Sequence, residues 1–291
     1  RVIPLAFRRW RRRPLHALGS GEPRAAARQL RSRQYDRIID AQGLIKSAVF
    51  SRLARGVRYG LDRSSAREPL ASLAYQYKVP VAPGWHAVQR VRQLFACALE
   101  YELPDAPPDY GLDNRFRGPG EHDYLVLLHG TTWPSKHWPA EYWVELAQLA
   151  ANDGLRVKLP WGNVAEFQRA SRIAAAHDLI EVLPRLALGE LATVIAGSAV
   201  AVGVDSGPVH LAAALGRPCL TLYGATDPAL TGTLGKCQVQ LQSQVHCVPC
   251  RERKCRYPGV AGEVSPACYA DIPPARVWER VGTMLFGDGE R

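Results

Sequence analysis

The chain has 291 residues, of which 47% are hydrophobic and 22% charged, a balance that describes a globular protein. Its length suggests two domains of roughly 100 to 170 residues, and no apolar run approaches the ~20 residues needed to span a bilayer. The formal net charge of +10 favours phosphate-rich partners such as nucleic acid, an anionic membrane surface or a phosphorylated glycolipid.

The excess charge begins at once. Arg8, Arg9, Arg11, Arg12 and Arg13 crowd around Trp10, and Arg24, Arg28, Arg31 and Arg33 follow. Such a block is most often a solvated tail, but Trp10 and the flanking Val2-Ile3-Pro4-Leu5 argue for a packed segment. Aromatic interleaving stops at Trp10 and no recognition motif accompanies it, so nucleic acid is not the expected partner. Arg1 to Pro4 reads as the end of a strand, and an upstream segment is expected. No apolar leader is present, which makes the cytoplasm the expected compartment.

Residues 22–32 read as a basic helix, and 35–40 as a short strand that brings Asp40 to its carboxyl end. The turn at Gln42-Gly43 then opens a helix, completing a βα unit. A second strand is expected at 56–60, followed by a loop in which Arg63 and Arg67 add to the positive face. Residues 86–101 carry apolar residues at helical spacing, with His86, Gln89, Arg90 and Arg92 toward solvent.

Pro and Gly dominate the next stretch, which reads as a linker. The expected division is a partial amino-terminal domain at 1–103, the linker at 104–121, a second domain at 122–273, and a closing helix and tail at 274–291. In the second domain strands are expected at 124–128, 156–159, 180–183, 199–204 and 218–223. Helices are expected at 140–152, 164–177, 188–196 and 209–215, with the closing helix at 274–281. This alternation implies a parallel, doubly wound α/β sheet whose ligand lies outside the carboxyl ends of the strands.

The loops at those ends are chemically rich. Thr131, Thr132 and Lys136 follow the first strand, Glu166 follows the second, and Asp205-Ser206-Gly207-Pro208 lead from the fourth into a helix. Hydroxyls, a Lys and a helix N-terminus suit a diphosphate, while a carboxylate suits ribose hydroxyls. Each residue alone would pass for ordinary loop surface; their convergence at one sheet edge argues otherwise. Walker A, GxGxxG and GxSxG motifs are absent, which weakens the kinase, dehydrogenase and hydrolase readings.

Seven cysteines do not resemble a secreted disulfide framework. Cys97 and Cys219 lie in apolar contexts and read as core residues. Cys247, Cys250, Cys255 and Cys268 have a spacing that suits one tetrahedral zinc, but buried thiols or a disulfide pair fit as well, and no metal is the leading expectation.

The stretches YDRIIDAQGLIKSA, SAREPLASLAY, HAVQR, HGTTWPSKHWP, VKLPWGNVAE, VLPRLAL, VGVDSGPVHLAAAL and LYGATDP occur in this order. In these the chain resembles the lipopolysaccharide heptosyltransferases of the GT-B class, in which two Rossmann-like domains face a cleft. The AREPLA and KHW stretches favour the type I branch; the alternatives are a type II-like enzyme or a non-catalytic nucleotide-sugar-binding homologue.

The resemblance implies inverting transfer of heptose from ADP-heptose to Kdo2-lipid A by a monomer at the cytoplasmic face of the inner membrane, without a cofactor. It implies that Thr131, Thr132 and Lys136 hold the diphosphate, Glu166 the ribose, and Leu186 the adenine. Asp205, Ser206, Gly207 and His210 would place the heptose and diphosphate, and Arg8, Arg9, Arg11, Arg12 and Arg67 would grip the acceptor. Family members take their catalytic base from an Asp in a Ser-x-Gly-Asp turn that is not found here. The base is therefore expected upstream of Arg1, and the chain as written is expected to bind ADP or ADP-heptose without transferring sugar. Ser206-Gly207-Pro208 also stands where relatives often carry Thr-Gly-Leu, a change that retains the hydroxyl.

Overall fold

The computed structural model describes residues 2–112, 115–116, 122–257 and 264–287, apart from the side chains of Arg8 and Leu18. The chain divides into two compact units, Arg1–Asp105 and Ala106–Arg291.

In the first unit residues 2–6 are irregular and lead into α1 (Phe7–Arg12), so the expected strand end is not formed at residues 2–4, and Arg1 lies outside the described residues. Val2 is 89% exposed, with no neighbour to bury it. The arginine block is helical: α1 is followed by α2 (Pro14–Ser20) and α3 (Glu22–Arg31). Trp10 Nε1 donates to Glu22 Oε2 at 2.8 Å, and Phe7 meets Phe50 edge-on. These contacts make the segment a packed one.

Next come β1 (Gln34–Asp40), α4 (Ile45–Leu53), β2 (Arg55–Leu61), a 3₁₀ turn (Pro69–Ala74), β3 (Tyr77–Val79) and α5 (Ala87–Leu99). The three strands pair in parallel in the order β1-β2-β3. Asp40 ends β1 as a buried anchor: its Oδ1 accepts from the Gln42 and Gly43 amides, and Tyr75 Oη donates to Oδ2 at 2.7 Å. Cys97, expected in the core, is exposed. The buried stripe of α5 runs through Leu94, Ala96 and Ala98, and Cys97 falls off it.

The second unit holds one six-stranded parallel sheet in the order β6-β5-β4-β7-β8-β9. Its elements are β4 (Tyr124–Leu128), α6 (Ala140–Asn152), β5 (Arg156–Leu159), α7 (Val164–Ala174), β6 (Ile180–Val182), α8 (Leu188–Ala196) and β7 (Val200–Val204). They continue with α9 (Gly207–Ala214), β8 (Cys219–Tyr223), α10 (Pro228–Thr231), β9 (Gln238–Gln242) and α11 (Pro274–Phe286). Every residue of β4, β7 and β8 is buried, as befits central strands covered on both faces.

One face packs on α6 and α11 through Trp143, Leu146, Val277 and Val281, the other on α8 and α9 through Ala192, Ile195, Val209 and Ala212. The chain runs outward from β4 to β6 and then returns to β7 on the other side of β4. That reversal opens a crevice beyond the carboxyl ends of β4 and β7, where the polar loops emerge. Leu112 and Phe116 pack against the α8/α9 layer, and Tyr110 Oη donates to the Leu234 carbonyl, so residues expected in a linker lie against the second unit. No helix among the described residues is long and apolar enough to cross a membrane.

Candidate functional site

A cavity of about 640 Å³ occupies the crevice. Thr131, Thr132, Lys136, Glu166, Leu186, Asp205, Ser206, Gly207 and His210 all line it. Three loops and one helix start, separated by up to 79 residues in sequence, thus meet because β4, β5 and β7 are neighbours in the sheet.

Asp205 is the electrostatic centre. Lys136 Nζ lies 2.6 Å from its Oδ2, Thr226 Oγ1 donates to the same oxygen at 2.6 Å, and His210 Nε2 is 3.5 Å from Oδ1. Burial alone raises the carboxyl's pKa, but the hydrogen bonds from His210, Lys136 and Thr226 outweigh it and bring it down to about 2. Asp205 is therefore a permanent anion that holds the Lys136 ammonium at the cavity wall. Lys136 also sits 4.7 Å from the Trp133 ring centroid, so its position is set from two sides.

Ser206 occupies the position before α9 in an extended conformation. Its side chain makes no capping bond, and its buried Oγ has no hydrogen-bond partner. Helix α9 begins at Gly207, two residues before the expected start, with Pro208 in its first turn. Free amides and the positive end of the helix dipole thus face the cavity beside the ammonium.

Glu166 lies in the first turn of α7. Asn163 Oδ1 caps that helix by accepting from the Glu166 amide at 3.0 Å, and Gly162 N donates to Glu166 Oε2 at 2.7 Å. The carboxylate lies so close to Gly130 that a Cβ there would come within 2.8 Å of it. Leu186, Leu188 and Leu191 line the cavity as an apolar surface, and Trp161 is fixed by its Nε1 bond to the Leu183 carbonyl. A cation and helix start, a carboxylate and an apolar surface in one cavity suit phosphate, sugar hydroxyls and a base respectively.

Sequence reasoning missed two contributors. Thr226 follows β8, the strand beside β7, and that placement at a strand's carboxyl end was the available signal. Arg169 lies one turn beyond Glu166 on α7 and donates to the His129 carbonyl at 3.3 Å, tying α7 to the loop that carries Thr131.

The proposed acceptor arginines lie in the first unit. Arg9, Arg11 and Arg12 are exposed on α1, the Arg8 side chain is outside the described residues, and Arg67 is exposed beyond β2. Arg9 is engaged with Glu22 Oε2 at 2.6 Å. Among the cysteines Cys268 is buried, Cys247 half-buried, and Cys250 and Cys255 exposed. Burial, and then the nearness of Cys255, Cys247 and Cys250, pushes the Cys268 thiol up to about 12. Among the described residues no group of three or more His, Cys, Asp or Glu side chains is arranged to hold a metal ion.

Residues 24–261 match the family model described as glycosyltransferase family 9 (heptosyltransferase). The chain is 47% identical over 297 residues to lipopolysaccharide heptosyltransferase 1 of Pseudomonas aeruginosa, covering 98% of this chain and 84% of that protein. Identity to lipopolysaccharide heptosyltransferase 2 of Escherichia coli is 28% over 293 residues, with 93% of this chain and 81% of that protein covered. Among solved structures, E. coli heptosyltransferase WaaC with ADP-2-deoxy-2-fluoro heptose aligns with a TM-score of 0.82 and 40% identity, over 97% of this chain and 82% of that one. The chain belongs to glycosyltransferase family 9, the heptosyltransferases.

Proposed function

We propose that the chain is a type I lipopolysaccharide heptosyltransferase that takes heptose from ADP-heptose and passes it to the Kdo of Kdo2-lipid A. The observation that carries this reading is the Lys136–Asp205 pair at the start of α9, in the same cavity as Glu166 and Leu186. Leu186 receives the adenine, Glu166 accepts from the ribose hydroxyls, and Thr131, Thr132, Ser206 and the Gly207 amide hold the diphosphate.

In the transfer an acceptor hydroxyl attacks the anomeric carbon as the bond to the ADP oxygen breaks, its proton passes to a general base other than Asp205, the electron pair of the broken bond leaves with ADP, and the configuration inverts. Negative charge grows on the leaving diphosphate, where Lys136 and the α9 dipole stabilise it without reorganisation. Asp205 is not the general base: a carboxylate with a pKa of about 2, ion-paired to Lys136, is far below the value suited to accepting a proton near neutral pH. With His210 it positions the donor. The exposed arginines Arg9, Arg11, Arg12 and Arg67, with Arg8, meet the acceptor's phosphates and carboxylates, at the cytoplasmic face of the inner membrane.

Calorimetry with ADP and ADP-heptose tests the donor site. Binding should weaken about tenfold or more in Lys136→Ala and in Glu166→Gln, since each loses a charge-assisted contact. Absence of nucleotide binding, or binding indifferent to both substitutions, would overturn the assignment.

A further inference from the structure

The first unit carries an aliphatic surface that its own fold leaves uncovered. Helix α4 and the 3₁₀ turn meet through small residues, Ala48 with Ala71 and Ala74, and Tyr75 just past the turn completes the buried seam. On the outer side of the turn Leu70 and Leu73 are 63% and 70% exposed. Three residues apart in a 3₁₀ turn, they eclipse one another and share a face. On α4, Ile45 and Val49 stand one turn apart and are 46% and 53% exposed. Glu68 Oε2 accepts from the Ile45 amide at 2.6 Å, which fastens the start of the turn to the start of the helix. The two aliphatic pairs thus lie on adjoining elements.

The surroundings are cationic. Residues 41–80 contain seven Lys or Arg against two acids, and Lys46, Arg52, Arg63, Arg67 and Lys78 are exposed. Both acids are engaged locally: Glu68 with Ile45, and Asp62 Oδ1 with the Ser65 amide at 2.8 Å. Exposed aliphatics in a segment this rich in exposed cations match the boundary of an anionic bilayer, where apolar side chains enter the acyl edge and ammonium and guanidinium groups meet phosphates. A second copy docking through this same face would bring positive surface against positive surface and be repelled.

We propose that α4 and the 3₁₀ turn form a docking surface for an anionic lipid bilayer, with Leu70 and Leu73 inserted into it. The inference rests on the reading of the chain as an enzyme with a lipid acceptor, and it names the surface that meets the membrane.

Co-sedimentation with vesicles of phosphatidylglycerol and phosphatidylethanolamine, compared with phosphatidylcholine alone, tests it. The wild-type chain should partition to the anionic vesicles, less so as salt rises. Leu70→Asp with Leu73→Asp should lower partitioning about tenfold or more, with ADP binding and the unfolding midpoint unchanged. A Leu73→Trp variant should gain fluorescence quenching by brominated acyl chains, a readout that does not depend on the aspartate variant folding. Unchanged partitioning in the double variant, or no added quenching at Leu73→Trp, overturns the proposal. So does a wild-type dimer that the double variant converts to monomer while lipid binding persists. Loss of ADP binding by the wild-type chain would count against the donor site alone, since vesicle partitioning is read independently of it.

Discussion

The carboxylate of Glu166 can approach the β4 loop only because residue 130 has no side chain. A methyl group at Gly130 would meet the Glu166 carboxyl carbon at 2.8 Å, and the far end of a long side chain gives way more readily than the backbone. Gly130→Ala should therefore weaken ADP binding by roughly tenfold while changing stability by less than about 1 kcal/mol, as calorimetry and denaturant titration would read. Behind this loop His129 is fully buried, and burial, followed by Arg169 and His137, lowers its pKa to about 4. Unfolded, the imidazole titrates near 6.5. Above that pH both states are neutral and His129 contributes no slope. As pH falls from about 6.5 to 4 the unfolded chain takes up the proton first, and stability drops by up to about 3 kcal/mol. His129→Gln should flatten that part of the stability profile; an unchanged slope in urea titrations across this range would show that the imidazole is not the group responsible.

Strands β4 and β5 and helices α6 and α8 were legible in the sequence to the residue, because the unbroken apolar run of β4, the polar–apolar alternation of β5 and the helical periodicity of α6 and α8 mark them. Strands β3 and β9 were not foreseen. β3 has three residues, too few to show a period, and β9 alternates Gln with aliphatics at a sheet edge. Within β7, Gly203 is where α9 and β4 close on the sheet. A Cβ there would lie 2.5 Å from Val209 Cγ1, 2.8 Å from Leu128 Cβ and 3.1 Å from the Leu128 carbonyl oxygen. Backbone on one side and a branched side chain on the other leave little room to yield, so Gly203→Ala should destabilise the fold by about 1–3 kcal/mol. Gly207→Ala, four residues on, meets nothing within 4 Å and serves as the control in the same thermal melts.

Across the whole molecule the charge is divided as sharply as the fold. Residues 1–105 contain twenty Lys or Arg against eight acids, more than the chain's entire excess, so the positive surface belongs to the first unit and the nucleotide-type cavity to the second. That asymmetry, the βα alternation and the residue types at the strand ends were determined by the sequence alone, because they follow from composition and from periods of two or a few residues. The tertiary structure decided what those residues do to one another. Asp205 was conspicuous in the sequence as an acid before a helix, but only the placement of β7 between β4 and β8 brings Lys136 from one side and Thr226 from the other onto its carboxylate and makes it a fixed anion. The arginine block was legible as charge, whereas its helical form depends on Glu22 and Phe50 meeting Trp10 and Phe7. In both cases the deciding contacts join residues far apart in the chain, and no local pattern encodes a distance that only the closed sheet and its layers impose.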